Sequence, residues 1–392
     1  MIDPRRVAAT FERLHSRPPR LFRAPGRVNL IGEHTDYNEG FVLPMAIDRD
    51  TVVAAAPRDE RRVRVRSLNR DEAGDFDLDA PWSSRRGTWI DYVEGVARVL
   101  EERGARLRGA ELVLESDVPE GAGLSSSASL EVSVGLALLS LAGVSVAPEE
   151  LALSGQAAEH QYVGTQCGIM DQLVAVRGRP GHALLIDCRS LEARPIPLAL
   201  GAVCLLILDS GVKHQLAASE YNRRRTECAK AVDLLRSARP ALRSLRDLAA
   251  GDLDTVTATL PDTLARRCRH VVTENERTLH AAEALARADH VAFGALMAAS
   301  HRSLQEDYEV TCPEIDVLVE AASSQAGVLG ARMTGGGFGG CTVNLVDSHA
   351  LDKTLEAVRR TFARHFEREP RAFVSRAAGG AEEIGEPAKA LP

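Results

Sequence analysis

The fold is decided by residues 117–130, which read DVPEGAGLSSSASL. A strand-like run over residues 111–115 leads into this stretch, and an apolar run over 130–141, ended by Gly143, predicts a buried helix after it. Between them lies what we call the serine-glycine loop, residues 121–127, whose two glycines let the backbone turn tightly. A glycine loop that opens onto a helix N-terminus presents unpaired N–H groups and can hold a phosphate.

The residues of this loop leave two interpretations open. One is an anion site; the other is a helix cap beside a glycine-containing turn. The loop is not a Walker A motif, because no lysine follows its second glycine, and it lacks the third glycine of the dinucleotide fingerprint. If the loop holds a triphosphate, the positive charge must come from another part of the chain.

Composition narrows the class of protein. The 392 residues predict roughly two or three domains, and a hydrophobic content of 45% is enough for packed cores. A net charge of −7 argues against nucleic acid or an anionic membrane as the main partner. Any anionic substrate must therefore be bound by local positive charge.

The seven cysteines are scattered and show no C-x-x-C spacing, which favours reduced thiols over a metal site or a disulfide framework. Residues 1–20 carry charges throughout and have no apolar signal core, and no apolar run approaches membrane-spanning length. These features predict a cytoplasmic protein.

Residues 22–38 place several ionisable side chains between short apolar patches in a segment broken by Pro25, Gly26 and Gly32. Such a loop is a common place for a binding site, although an ion-paired surface loop has the same pattern. Asp171 lies between apolar residues after a glycine turn, where it is either a helix cap or a carboxylate in a partly desolvated cleft. Residues 335–340, the glycine hairpin, suit a backbone that must approach another group closely, or a flexible tip.

The remaining pattern is a mixture of helices and separated strands. It predicts helices over residues 7–15, 89–103, 148–163, 219–238, 274–288, 290–305, 313–326 and 351–366. It predicts strands over residues 51–56, 62–67, 182–188, 204–209, 330–334, 341–346 and 371–375, and a frayed tail after residue 377. Three consecutive arginines at 223–225 are expected to be mostly solvated. Because strand and helix do not alternate regularly, the class is α+β rather than a doubly wound sheet.

Five segments, taken together, resemble the GHMP small-molecule kinases and, among these, the galactokinase family. Residues 26–38, GRVNLIGEHTDYN, are similar to the galactokinase signature nearly residue for residue. The serine-glycine loop with Ala128 resembles the family's phosphate loop, and residues 333–340, MTGGGFGG, resemble its third motif. Residues 167–172, CGIMDQ, and 219–222, SEYN, complete the set, which spans most of the chain.

The resemblance implies an α+β, two-domain GHMP kinase fold with the site between the domains. Residues 1–200 would form a ribosomal-protein-S5-like N-terminal domain with the sugar signature and phosphate loop, and residues 201–392 a ferredoxin-like C-terminal domain. The implied reaction transfers the γ-phosphoryl group of ATP to the anomeric hydroxyl of α-D-galactose. The implied partners are D-galactose and MgATP, with no nucleic acid, membrane or obligate protein partner.

The resemblance also implies a role for particular residues. Asp171 would be the general base, and Arg27 would keep it ionised and offset charge on the moving phosphoryl group. Ser127 and Glu159 would hold Mg²⁺, which prefers oxygen ligands. The implied sugar-binding residues are Glu33, His34, Thr35, Asp36, Gly168 and Tyr221. The implied ATP-binding residues are Ser67, Gly121, Ala122, Gly123, Leu124, Ser125, Ser126 and Ser127.

Two other functions fit the same segments. One is a kinase of this family that acts on another sugar, such as N-acetylgalactosamine or arabinose; the unbroken run EHTDYN at residues 33–38 favours galactose. The other is a sugar sensor without activity, which is expected to have lost residues of the serine-glycine loop or the base. Here Ser126, Ser127, Ala128 and Asp171 are all present.

Overall fold

A computed structural model describes residues 2–212 and 217–385 of the chain. Its strands are β1 (Arg20–Asn29), β2 (Phe41–Val42), β3 (Pro44–Arg58), β4 (Arg62–Ser67), β5 (Glu72–Asp77), β6 (Gly109–Ser116), β7 (His182–Asp187), β8 (Glu192–Pro197), β9 (Val203–Asp209), β10 (Val328–Thr334), β11 (Cys341–Asp347), β12 (Arg371–Ser375) and β13 (Glu382–Ile384). Its α-helices are α1 (Pro4–His15), α2 (Ile90–Glu102), α3 (Ser126–Ala142), α4 (Pro148–Ala158), α5 (Met170–Arg177), α6 (Ala217–Leu235), α7 (Leu253–Thr257), α8 (Asp262–Ala286), α9 (His290–Ser303), α10 (Pro313–Ser323) and α11 (Leu351–Phe366).

The N-terminal lobe is built on a sheet with the strand order β13-β1-β3-β6-β4-β5, in which only the pair β4 and β6 is parallel. Helices α2 and α3 pack their apolar side chains on one face, and α1 covers part of the other with Val7 and Phe11. Helix α3 is apolar on nearly all sides because it lies between this sheet and helices α2, α4 and α5. Its buried position fixes the direction in which its N-terminus points.

The C-terminal lobe contains a four-stranded antiparallel sheet of order β10-β11-β9-β12. Taken along the chain, the first of these strands lies between the third and the fourth, which is the ferredoxin-like arrangement. Helices α10 and α11 pack on this sheet, while α6 to α9 form an inserted helical layer between β9 and β10. The predicted ferredoxin-like character of this half is therefore present.

One apolar core is shared by the two lobes. It contains Val28 from β1 and the following Leu30, Leu205 from β9, Val343 from β11 and Phe293 from α9, all of them buried. Because side chains of both sheets meet in this core, the cleft between the lobes has a packed floor. Within the described residues, no helix has both the length and the apolar character needed to cross a membrane.

The structure corrects several predictions. Strand β1 runs through Pro25 and Gly26 with a shift of register there, where a break into strand, turn and loop was expected. Helix α8 begins at Asp262, twelve residues before the predicted start at 274. Of the three consecutive arginines only Arg223 is exposed, since Arg224 is buried and Arg225 partly buried.

The predicted frayed tail is wrong for residues 382–384. These residues form β13 and pair with β1, with Ile384 opposite Leu21. Ion pairs of Arg20 with Glu383 and of Arg23 with Glu382 support the pairing. The chain thus returns to the N-terminal sheet after completing the C-terminal one, so a division at residue 200 does not separate every element. Residues 386–392 of the predicted tail lie outside the described part of the chain.

Candidate active site

A cavity lies between the two lobes, and segments distant in sequence form its walls. It is lined by Arg27, Glu33, His34, Asp36, Gly121, Gly123, Ser127, Glu159, Thr165, Cys167, Gly168, Met170, Asp171, Tyr221, Gly335, Gly336 and Gly337. Most of the residues predicted for catalysis and sugar binding are in this set. Arg27 and Asp171 lie together in this cavity although they are 144 positions apart in the chain.

Arg27 and Asp171 meet in this cavity. Nε of Arg27 donates to Oδ1 of Asp171 at 2.8 Å, and Nη2 lies 2.7 Å from the same oxygen in the ion pair. A third donor of the same guanidinium, Nη1, bonds the carbonyl oxygen of Gly123 at 2.5 Å. The guanidinium is buried, whereas the Asp171 side chain stays 25% exposed at the cavity. Arg27 therefore links the carboxylate to the serine-glycine loop and supplies the positive charge that the loop lacks.

Glu33 is held on all sides by the signature loop, residues 29–41, and by the start of the glycine hairpin. Its two carboxylate oxygens accept hydrogen bonds from Asn29 Nδ2 and from the Gly335 N–H, both at 2.7 Å. Burial raises the pKa of Glu33, and the nearby Arg332 guanidinium acts against that rise. Arg332 is itself fully buried and lies 3.5 Å from Oε1 of Glu33. The result is a carboxylate with a fixed orientation.

His34 points one ring nitrogen at its support and the other at the cavity. Its Nδ1 lies 2.9 Å from the Tyr37 hydroxyl, while the buried Nε2 has no hydrogen-bond partner among the residues that the structure describes. The ring packs against Tyr221 and Tyr308, and burial lowers its pKa well below the usual value. A neutral imidazole with one free nitrogen can exchange a hydrogen bond with a ligand hydroxyl.

Asp36 and Gly168 face each other so closely that only glycine fits at 168. A Cβ atom at Gly168 would lie 1.8 Å from Oδ2 of Asp36. Burial, and then the negative charge of Asp171, raise the pKa of Asp36 to about 7. Like charges close together cannot both ionise at low energy. Polar donors from a ligand would favour the ionised form.

Thr35 does not line this cavity. Its buried hydroxyl lies within hydrogen-bonding distance of two backbone carbonyls, those of Gly32 at 2.8 Å and Phe41 at 2.7 Å. Its side chain therefore shapes the signature loop from behind, and direct contact with a ligand is not available to it in this structure.

The serine-glycine loop brings its backbone against the glycine hairpin. Gly121 and Gly123 have φ angles of 67° and 72°. A Cβ atom at Gly335 would lie 2.7 Å from the carbonyl oxygen of Gly123, so both loops need their glycines for this approach. Ser125 adopts φ 62° at the N-cap of α3 without a side-chain capping bond. The first N–H groups of α3 have no partner within the helix, and Ser126 and Ser127 at its start line the cavities.

Two residues of the loop serve its structure. Ala122 is buried beside Gly340, where a Cβ atom at the glycine would lie 2.7 Å from the Ala122 carbonyl oxygen. Leu124 belongs to the core shared by the lobes, and its carbonyl accepts the Arg27 N–H at 3.0 Å. Both place the neighbouring glycines and serines.

Ser127 and Glu159 form an oxygen pair at the base of the loop. The Ser127 hydroxyl donates to Oε1 of Glu159 at 2.8 Å, and Glu159 is only 5% exposed. Burial, with a smaller contribution from the negative charge of Asp171, raises the pKa of Glu159 to about 7. The hydrogen bond from Ser127 acts in the opposite direction. Within the described residues no group of three histidine, cysteine or acidic side chains is arranged to hold a metal. One carboxylate and one hydroxyl nevertheless fit Mg²⁺, which takes few protein ligands and completes its shell with phosphate oxygens and water.

A second cavity adjoins the first on the other side of the loop. Its lining residues are Thr51, Ser67, Asn69, Arg70, Trp89, Tyr92, Leu114, Ser116, Glu120, Gly121, Ser126, Ser127 and Leu130. Ser67 is buried at its wall. Gly121 and Ser127 belong to both cavities, so the serine-glycine loop lies at their junction.

Models of three protein families match the chain in order. The galactokinase galactose-binding signature matches residues 9–57, the GHMP kinases N terminal domain residues 91–179, and the GHMP kinases C terminal residues 281–364. A galactokinase of Chloroflexus aggregans is 52% identical over 93% of this chain and 93% of its own length. The chain belongs to the galactokinase family.

A galactokinase of Chloroflexus aurantiacus is 51% identical over 95% of both chains. The crystal structure of Lactococcus lactis galactokinase complexed with galactose is 35% identical and superposes with a TM-score of 0.94, over 97% of this chain and 99% of that one. The predicted α+β GHMP kinase fold is thereby confirmed. This member of the galactokinase family is an enzyme, a kinase, and membership of a kinase family implies that it uses ATP.

Trp89 and Tyr92 are cavity-lining residues that were not predicted from the sequence. They line the second cavity at the start of α2, and the indole N–H of Trp89 donates to Glu72 at 2.8 Å. Burial raises the pKa of the Tyr92 hydroxyl. The available signal was the presence of two aromatic residues three positions apart in a chain with 4% aromatic residues.

Proposed function

We propose that this member of the galactokinase family transfers the γ-phosphoryl group of ATP to the anomeric hydroxyl of α-D-galactose, giving α-D-galactose 1-phosphate and ADP. The observation that carries the proposal is the contact between Arg27 and Asp171 in the first cavity, beside the serine-glycine loop that adjoins the second. The structural relative described above is complexed with galactose, which supports galactose as the sugar.

Asp171 would act on the sugar hydroxyl. Its carboxylate accepts the proton of the anomeric hydroxyl as that oxygen attacks the γ-phosphorus, and the bond from the γ-phosphorus to the bridging oxygen of ADP breaks. Arg27 keeps the carboxylate ionised by its direct ion pair and lies where it can offset charge on the moving phosphoryl group. General base catalysis of this kind contributes about 10²–10⁴ in rate.

The sugar would be recognised by Glu33, His34, Asp36, Tyr221 and the backbone at Gly168. Glu33 and His34 have their outer partners already in place, so each presents a fixed acceptor or donor to the cavity. A site built to hydrogen-bond each hydroxyl rejects sugars that leave those groups unpaired. We place Thr35 behind the site, where it holds the loop that carries these side chains.

The triphosphate would lie on the serine-glycine loop, with the nucleoside towards Ser67 in the second cavity. Ser127 and Glu159 would hold Mg²⁺, and the bound ion would offset negative charge on the β- and γ-phosphates. A cation beside Glu159 would also favour the ionised form of this buried carboxyl, whose side-chain partner among the described residues is the Ser127 hydroxyl.

We also infer that the enzyme works in the cytoplasm on small molecules alone. All seven cysteines are unpaired, which agrees with a reducing compartment.

An ADP-release assay over a panel of sugars tests the proposal. We expect turnover with galactose to exceed that with N-acetylgalactosamine, arabinose and glucose in kcat/KM. Turnover with the amino sugar far above that with galactose would overturn the choice of substrate. Binding of galactose and ATP without any ADP release would instead indicate a sensor.

A further inference from the structure

The signature loop is held from the opposite lobe by helix α8. Its buried residue Glu274 accepts the backbone N–H of Gly32 through Oε1 at 3.0 Å. The hydroxyl of Ser300 on α9 donates to the same oxygen at 2.5 Å. Gly32 has φ 101°, a conformation in which side chains are strained, so this peptide depends on its surroundings to keep its orientation.

The carboxylate of Glu274 is a charged acceptor. Oε2 of Glu274 accepts from Nε of Arg277 at 2.7 Å. Although burial acts to raise its pKa, the charge of Arg277 and other nearby donors lower the pKa to about 2. A hydrogen bond from an N–H to an ionised carboxylate is roughly twice as strong as a neutral one.

His270, one turn earlier on the same helix, contacts the peptide between Glu33 and His34. Its Nε2 lies 3.1 Å from the carbonyl oxygen of Glu33, and because a carbonyl only accepts, Nε2 carries the proton. Burial lowers the pKa of His270 to about 4, so the ring is neutral, and Nδ1 lies 3.0 Å from the Ser303 hydroxyl oxygen. The contact of Nε2 with the Glu33 carbonyl therefore sets the tautomer.

The two contacts bracket the side chain that would bind the sugar. Glu274 holds the N–H of Gly32, on one side of Glu33, and His270 holds the carbonyl of Glu33 itself, which leads into His34. A third residue of α8, Asn275, accepts the N–H of Phe41 at 2.8 Å at the other end of the loop. Helix α8 thus holds the backbone at both ends of the signature loop.

We propose that Glu274 and His270 are positioning residues for sugar recognition: they orient the peptides around Glu33 and so set the direction in which Glu33 and His34 face the substrate. The proposal rests on the proposed function for the identity of the sugar. Neither residue lines the cavity. The proposal therefore gives a helix of the C-terminal lobe an indirect part in selectivity.

The first test compares two changes at Glu274. Glu274→Gln keeps an oxygen for Gly32 and Ser300, whereas Glu274→Met combined with Arg277→Met removes the acceptor without leaving a buried unpaired charge. We expect the double variant to raise KM for galactose about 10- to 100-fold with KM for ATP within about twofold, as displacements of this kind away from the chemistry can cost 10². Glu274→Gln should stay much closer to the wild type. Equal changes in both KM values would overturn the proposal.

A second measurement needs no substrate. Hydrogen exchange of the Gly32 amide should accelerate in the double variant and stay slow in Glu274→Gln. Val271→Ala is the matched control, because Val271 is a buried residue of α8 that packs in the apolar core of the C-terminal lobe. It should lower stability and leave both Gly32 exchange and KM for galactose unchanged.

His270 gives an independent arm. His270→Gln retains a donor for the Glu33 carbonyl, and His270→Leu removes it. We expect only His270→Leu to raise KM for galactose. If the wild type failed to phosphorylate galactose, the proposed function would be wrong. Hydrogen exchange of the Gly32 amide would still test whether Glu274 holds this peptide. Unchanged exchange in the double variant would overturn the positioning role whatever the substrate.

Discussion

The two sides of the cleft differ in the chemical groups that line them. On the proposed sugar side, charged and aromatic side chains are buried and have hydrogen-bond partners in place, as with Glu33 and its partners Asn29 and Gly335. On the nucleotide side, the serine-glycine loop offers backbone N–H groups and hydroxyls at a helix N-terminus, with few charges.

This difference separates selectivity from affinity for phosphate. Backbone N–H groups bind any phosphate that reaches them, so they carry little information about the rest of the ligand. Buried polar side chains must be matched by the ligand, since an unpaired one costs roughly 1–3 kcal/mol. We therefore expect changes on the sugar side to alter which substrate is used, and changes on the nucleotide side to alter how well ATP is held.

The largest effect should come from a change at Asp171, the proposed general base. Asp171→Asn preserves shape and an acceptor for Arg27 but removes the base, so we expect kcat to fall by about 10²–10⁴. Calorimetric binding of galactose should change little. A near-normal kcat in this variant would show that another group takes the proton.

The next effect isolates the nucleotide side. Glu159→Gln replaces a carboxylate by a weaker ligand, and we expect the Mg²⁺ concentration for half-maximal rate to rise about 10-fold, in the range for altered ligand environments. KM for galactose should stay the same. Glu149→Gln, at a partly exposed carboxylate on α4, is the control and should have no effect. An unchanged Mg²⁺ titration for Glu159→Gln would rule out the metal role.

The same residue gives a pH dependence of stability. The folded pKa of Glu159 is raised to about 7, so the folded protein binds more protons than the unfolded chain between about pH 4.5 and 7. This contribution stabilises the ligand-free protein at low pH and is lost as the pH rises through 7. In urea unfolding, we compare the free energy of unfolding of the wild type with that of Glu159→Gln. The wild-type value minus the variant value should be larger at pH 5 than at pH 8 by on the order of 1–3 kcal/mol. No change in that difference would contradict the raised pKa.

The smallest effect should be at the wall of the nucleotide cavity. Ser67→Ala removes one hydroxyl, so we expect KM for ATP to rise about three- to tenfold, the cost of one ordinary hydrogen bond. KM for galactose and the ranking of sugars should not change. A shift in sugar preference would mean that the two sides are less independent than their construction indicates.

Much of the site could be predicted because its motifs are local. The order GRVNLIGEHTDYN, the serine-glycine loop and the segment with Asp171 each carry their chemistry within a few residues, and the fold brings them to one cavity. Helix α11 and strand β12 have the predicted bounds, because breakers and clear periodicity mark them.

The parts that were missed depend on distant contacts. The first half of α8 has helical spacing at Leu264, Cys268 and Val271, but its arginines resemble a solvated loop until Arg267 is seen to pair with Glu227. Strand β13 is three residues long and exists through pairing with β1. The contact of Glu274 with Gly32 joins positions 242 apart, and no local pattern indicates it.

The core common to both lobes, together with the return of β13 to the first sheet, has a consequence for heat denaturation. Neither half can lose its packing without exposing side chains such as Val28 and Leu205 that the other half covers. We expect scanning calorimetry to record one cooperative transition for the whole chain. A ligand bound on either side of the cleft should then raise the midpoint temperature of that single transition.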